Sequence, residues 1–295
     1  MKWRGRRGSS NIEDRRGAPG GGAFRVPRGR ITRRGGGGGA AVGGLGGLGL
    51  VAVLVIGWAL GIDVTGLLDE GGGQVAAPRE VTQADRAAGD FVSVVLADTE
   101  EVWTTIFAEQ LGADYSEPTL VLFSGSTRSP CGQASAATGP FYCPADGKVY
   151  LDTDFFAVLQ NQLGAQGDFA AAYVVAHEVG HYVQDVLGTL GEANALRQQV
   201  GQARSNEISV RIELQADCYS GIWARYAEAD LGVLDPGDID EALNAAARIG
   251  DDALQRQSGG VVRPETFTHG TSEQRRGWFD RGYASGELAA CDTGL

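Results

Sequence analysis

The sequence is short of the residues that bind metals or cross-link a chain. It has four cysteines, three histidines and one methionine in 295 positions. Four cysteines are too few for a disulfide-dense miniature fold. None stands in C-x-x-C spacing, which disfavours a cysteine-based zinc site. Positive charge is scarce as well: 25 Lys and Arg stand against 37 Asp and Glu, a formal net of −12. That balance argues against general nucleic-acid binding, which needs a basic surface. What remains is ample for folding. At 43% apolar, 21% charged and 8% aromatic, full-length disorder is excluded and one or two domains are expected.

The scarce positive charge is concentrated at one end. Residues 1–34 hold eleven Lys and Arg against Glu13 and Asp14, a net of +9, and the remaining residues carry a net of −21. Glycine is skewed the same way, with 23 of 46 in the first 75 positions. Between the basic head and the acidic body, residues 40–61 carry no charge, a run long enough to cross a bilayer as a helix. Its apolar strength lies in Leu48 to Leu60, with Trp58 near one end, where aromatic rings favour the interface. A cleaved signal peptide would have a shorter basic region, and a buried core helix would not be so rich in glycine. The expected organisation is a basic, glycine-rich cytoplasmic tail over 1–39, a transmembrane signal anchor over 40–61, a linker over 62–80 and a folded domain over 81–295. Positive charge stays inside, which gives a single-pass protein of the cell membrane with its folded domain outside the cytoplasm.

An oxidising compartment favours pairing of an even number of cysteines. Cys131 and Cys143 enclose a short loop with Gly132, Gly139 and Pro140, suited to a local bridge. Cys218 with Cys291 would tie the end of the chain to the body. Four buried thiols are the alternative.

Apolar spacing predicts a helix near 82–112, strands at 119–123 and 148–152, and helices over 153–163, 168–187, 192–229, 238–254 and 271–285. Few strands and many helices make the body α+β, mainly helical with a small sheet. Val149-Tyr150-Leu151 is a candidate edge strand on which an extended peptide could lie.

Two of the three histidines fall in His177-Glu178-Val179-Gly180-His181. By composition, H-E-x-x-H arises by chance in roughly one chain in several hundred. On a helix the two imidazoles share a face and can reach one metal ion, and Glu178 can reach a metal-bound water. A catalytic zinc needs a third protein ligand and an open position. Glu213 and Asp217, also four apart, supply a candidate ligand and a carboxylate that accepts the free N–H of a ligand histidine. The third histidine, His269, precedes a helix that Thr271 or Ser272 could cap. It could donate to an oxyanion, with Arg275 orienting it or binding a substrate carboxylate, or it could be structural.

H-E-x-x-H followed by E-x-x-x-D resembles the gluzincin pattern of thermolysin. A wider resemblance, to the bacterial family of putative neutral zinc metallopeptidases, rests on several segments. They are Pro130-Cys131-Gly132, Gly139 to Pro144, Val149 to Asp152, the His177 helix, Glu213 to Cys218, and Thr268-His269-Gly270 with Arg275. His269 with Arg275 is also distantly similar to an element of HtpX-like membrane peptidases, with Gly270 where those have proline. The resemblance implies a zincin-like fold and Zn²⁺ on His177, His181 and Glu213. It also implies catalysis by Glu178 and His269, and supporting roles for Asp217 and Arg275. The expected function is membrane-anchored, zinc-dependent hydrolysis of peptide or protein substrates outside the cytoplasm, with no nucleic-acid partner. The alternative is a catalytically inactive zinc-binding envelope scaffold or interaction module.

Overall fold

The computed structural model describes residues 1–17, 80–135 and 138–295. The expected anchor at 40–61 and all but the last residue of the expected linker lie outside them. Among the described residues, no helix is long and apolar enough to cross a membrane.

The first element is a short strand, β1 (Ile12–Asp14), followed in the described chain by a long helix, α1 (Gln83–Ile106). Thr82 and Asp85 close a reciprocal capping box at the start of α1, satisfying backbone donors that a helix end otherwise leaves open. Its apolar face buries Phe91, Val92, Val95, Leu96, Trp103 and Ile106 in the main core. Then come β2 (Thr119–Phe123), β3 (Ser126–Ser129), β4 (Gly132–Ser135), β5 (Phe141–Cys143) and β6 (Lys148–Asp152).

The four-stranded sheet has the order β1-β2-β6-β5, parallel from β1 to β6 with β5 antiparallel at one edge. Strands β2 and β6 are buried over four residues each, which explains their unbroken apolar runs. Val149-Tyr150-Leu151 is therefore an interior strand and not an edge: β2 and β5 flank it. The short strand β5 takes the edge position instead. β3 and β4 form a separate hairpin, and a disulfide from Cys131 to Cys143 ties its turn to β5.

The helical part comprises α2 (Phe155–Asn161), α3 (Asp168–Val186), α4 (Thr189–Arg197), α5 (Gln202–Ala229), α6 (Asp238–Arg248), α7 (Asp251–Gln257) and α8 (Ser272–Ser285). Two helices expected to be continuous are broken. The 192–229 segment turns between Arg197 and Gln202, and the 238–254 segment turns at Ile249-Gly250, where Gly250 passes against the start of α8. A Cβ at Gly250 would lie 2.4 Å from the Ser272 nitrogen.

Glycines also set the distance between α5 and α8. A Cβ on Gly221 would sit 2.0 Å from the Phe279 carbonyl oxygen, and one on Gly282 would sit 1.9 Å from that of Cys218. Only bare backbone allows this approach. The Cys218–Cys291 disulfide pins the chain end to the same region. Cys131, Cys143, Cys218 and Cys291 are thus paired as the sequence suggests, and no cysteine is free.

Residues 1–17 differ from the expected tail. They lie across α1 and end as β1 beside β2. Trp3 meets Phe91 edge to face, Ser9 N donates to the Ser93 carbonyl, and Arg6 pairs with the buried Asp98. The Met1 amino group lies 2.6 Å from Asp168 at the start of α3 and 3.3 Å from Asp238 of α6. Part of the basic charge of the head is therefore matched to carboxylates of the acidic body. The β1–β2 ladder also requires residues 1–17 and the body to share one compartment.

Candidate active site

The site is built on α3, whose first turn has no side-chain cap of its own because Gly167 stands at the capping position. A carboxylate from α6 takes over: Phe169 N donates to Glu241 Oε2 at 3.0 Å. A negative charge there favours the helix end. Along α3, Tyr173, His177 and His181 follow at four-residue spacing and so share a face, with Gln184 one turn further on. α5 packs against it where Gly180 meets Ala216; a Cβ at Gly180 would lie 3.1 Å from the Ala216 carbonyl oxygen. This contact brings Glu213 and Asp217 to the histidines.

Nε2 of His177 lies 3.1 Å from Oε2 of Glu213, and Nε2 of His181 lies 3.6 Å from its Oε1. Ligand atoms of His177, His181 and Glu213 all fall within 4.8 Å of one another. Zinc bonds of about 2.0–2.1 Å in a tetrahedron put neighbouring ligand atoms roughly 3.3 Å apart, so the two measured separations bracket the requirement. The donor set, two imidazoles and a carboxylate, also suits zinc, and three protein ligands leave a fourth position open.

The residues behind the ligands are closely tied. Nδ1 of His177 lies 3.0 Å from Oδ1 of Asp217, the arrangement that fixes tautomer and ring orientation. Asp217 is fully buried and accepts from Arg275 Nε at 2.8 Å, from Arg275 Nη2 at 2.9 Å and from the Tyr173 hydroxyl at 2.5 Å. Burial works against its charge, but Arg275 and His177 outweigh burial and hold Asp217 below the usual carboxylate range. Arg275, only 2% exposed, is committed to this pair. The contacts of Arg275 serve neither role open to it in the sequence, orienting His269 or binding a substrate carboxylate: it holds Asp217 behind His177, and His269 is positioned by Asp251 instead. Nδ1 of His181 is held by Gln184 Oε1 at 2.8 Å, and Gln184 Nε2 donates to the Ile212 carbonyl and to Gln215 Oε1.

Burial opposes ionisation of Glu213 too, yet His181, His269 and His177 keep it well below its ordinary value. For His177, burial favours the neutral ring, but Asp217 and Glu213 outweigh it and lift the pKa to about 9. Glu178 lines the same cavity at 7% exposure, and burial raises its pKa against the opposing pull of His181 and His177.

His269 reaches the cavity from the loop before α8. Asp251 clamps that loop: its Oδ2 accepts from the backbone nitrogens of Thr268, His269 and Gly270, and its Oδ1 lies 3.2 Å from Nδ1 of His269. With Nδ1 so engaged, Nε2 is the nitrogen left for a ligand. Thr271, not Ser272, caps α8 through a reciprocal box with Gln274. The cavity has a volume of about 590 Å³. Its walls include Phe141 and Tyr142 of β5, Leu190, Asn194 and Arg197 of α4, and Ile212 of α5.

Structure thus brings together His177, Glu178, His181, Glu213, Asp217, His269 and Arg275. Sequence reasoning missed Tyr173, Gln184, Asp251 and Arg197. Tyr173 and Gln184 could have been found from helical spacing on either side of the H-E-x-x-H segment. Asp251 and Arg197 carry no such local signal.

The family model described as "Putative neutral zinc metallopeptidase" matches residues 1–294. "Uncharacterized protein YpfJ" of Escherichia coli strain K12 is 47% identical over 294 residues, covering 99% of this chain and 98% of the relative. "Uncharacterized protein Mb2605" of Mycobacterium bovis is 50% identical over 189 residues, 61% of this chain and 63% of the relative. No solved structure matches the chain.

Proposed function

We propose a peptidase function on the premise that the chain belongs to the family of putative neutral zinc metallopeptidases. It would hydrolyse peptide bonds in peptides or proteins and use zinc to do so. The observation that carries this reading is the convergence of His177, His181 and Glu213 with Glu178 on one cavity. These three residues would hold the metal. When bound there, zinc would supply Lewis acidity and lower the pKa of a bound water toward neutrality.

The chain's own groups do the rest. Glu178 takes the proton of the attacking water and passes it to the leaving amine; a carboxyl with a raised pKa is suited to give that proton back. His269, oriented by Asp251, donates from Nε2 to the carbonyl oxygen as negative charge builds on it. Asp217, held by Arg275 and Tyr173, fixes the His177 ring. The edge strand β5, whose Phe141 and Tyr142 face the cavity, offers backbone groups to an extended peptide, which would lie along it as an added strand.

The body would work outside the cytoplasm, a placement supported by its two disulfides. Attachment to a membrane through residues 40–61 would have to leave residues 1–17 on the body's side. Changing Glu178 to Gln tests the mechanism: turnover of a peptide substrate should vanish while about one zinc per chain stays bound. Undiminished turnover would overturn it.

A further inference from the structure

The active-site cavity contains a second guanidinium that the proposed chemistry does not use. Leu190, Asn194 and Arg197 line it from one face of α4 at spacings of four and three residues. Arg197 ends that helix. Its Nη1 donates to the neutral side chain of Asn194 at 3.1 Å, and its Nε is buried without a hydrogen-bond partner. Among the described residues no carboxylate lies within ion-pair distance of it. The contrast with Arg275 is direct: one guanidinium is spent on Asp217, the other is held by a single amide and faces the cavity.

That arrangement is costly unless something completes it. A partly buried charge without a counter-ion forfeits hydration and gains little back. Burial lowers the Arg197 pKa, partly offset by the charge of Glu213, which also shows that Arg197 lies within electrostatic reach of the metal ligands. Leu190 and Ile212 contribute apolar surface to the same cavity. The body as a whole is strongly acidic, so an unmatched cation in its cleft runs against the general charge.

We propose that Arg197 is a specificity-determining residue that binds a substrate carboxylate next to the scissile bond. The preferred substrates are peptides carrying an acidic side chain or a free C-terminal carboxylate at that position. A planar guanidinium matches a carboxylate at two points, and charged hydrogen bonds of this kind are the strong ones. The inference rests on the peptidase reading for turnover, but not for binding.

The test uses the full chain loaded with zinc. Peptides that differ only by Glu or Gln beside the cleaved bond are compared with wild type, Arg197→Gln and Arg197→Lys. A further pair differs only in a free or amidated C-terminus, which separates the two carboxylate sources. Binding of the same peptides to Glu178→Gln protein, with and without Arg197→Gln, is read by calorimetry. It therefore reports even if no peptide is cleaved. Wild type should favour one carboxylate form by about tenfold to a hundredfold in kcat/KM or in Kd. Arg197→Gln should bring the ratio near one, and Arg197→Lys should restore part of it. Zinc content equal to wild type shows that Arg197→Gln is folded. A wild-type ratio near one in both assays, or a preference that survives Arg197→Gln, overturns the proposal. Absence of any turnover with a carboxylate preference in binding would count against the peptidase reading alone.

Discussion

Arg275 grips Asp217 at two points, Nε to Oδ2 at 2.8 Å and Nη2 to Oδ1 at 2.9 Å, and that same Oδ1 lies 3.0 Å from Nδ1 of His177. A residue of α8 thereby sets the ring of a candidate zinc ligand on α3 through a carboxylate of α5. Three helices are joined behind the metal position by one buried chain of charge-assisted contacts. Such a chain stabilises only when complete, because each member is buried.

Asp217→Asn should therefore weaken zinc binding by about tenfold to a hundredfold while leaving the three ligands in place. Competition against a chelating dye reads this directly. Arg275→Met, which leaves Asp217 buried without its cation, should cost about 3–5 kcal/mol of stability in urea unfolding. Zinc affinity unchanged in Asp217→Asn would show that the His177 ring is held by other means.

Gly282 governs how closely α8 approaches α5. An added methyl group would sit 1.9 Å from the Cys218 carbonyl oxygen, a backbone atom that cannot step aside. Gly282→Ala should lose about 1–3 kcal/mol, with a lower thermal midpoint and weaker zinc binding, since Arg275 rides on the displaced helix. An alanine at Gly277, inside the same helix with open space around it, is the control: zinc binding should be unchanged and the thermal midpoint equal or slightly higher, since alanine favours a helix interior over glycine by about 0.5–1 kcal/mol.

Asp98 makes the docking of residues 1–17 sensitive to pH. Burial raises its pKa from 3.8 to about 6, and Arg6 offsets only part of this. A carboxyl whose folded pKa exceeds its unfolded one binds protons more tightly when folded. Stability from this group thus falls as pH rises from about 4 to about 6 and is flat outside that window. Asp98→Asn should remove this component of the slope, measured as the difference between the two proteins' urea midpoints across the window. Parallel curves would contradict it.

The shared compartment of residues 1–17 and the body is open to direct trapping. Ile12 and Leu120 are register partners in the β1–β2 ladder. The pair Ile12→Cys and Leu120→Cys should cross-link on mild oxidation in the full chain in its native membrane preparation. Failure to cross-link, with Ile12→Cys labelled only from the opposite side to a cysteine in the body, would restore the single-crossing arrangement.

The H-E-x-x-H and E-x-x-x-D pairs were legible because four-residue spacing on a helix places side chains on one face whatever the rest of the fold does. The same holds for the apolar runs of β2 and β6, whose burial on both faces leaves a continuous signal. The strand β1 was not legible: Ile12-Glu13-Asp14 has no alternating pattern and becomes a strand only through the free edge of β2. Nor was the turn between α4 and α5, where helix-forming residues continue on both sides of the break and packing on α3 decides the direction. That turn places Arg197 on the cavity, so the residue closest to substrate choice was the one least visible in the sequence. The partners of the basic head were not legible for a related reason: Arg6 pairs with a carboxylate of the body that lies 92 positions away in the chain.

The three-ligand zinc site is decided by the metal content of the folded full chain. Wild type and Glu178→Gln should each hold about one zinc per chain and Glu213→Ala almost none, with all three proteins folded by circular dichroism. A well-folded wild-type protein that takes up no zinc, or a Glu213→Ala protein that keeps it at full affinity, would rule the three-ligand site out.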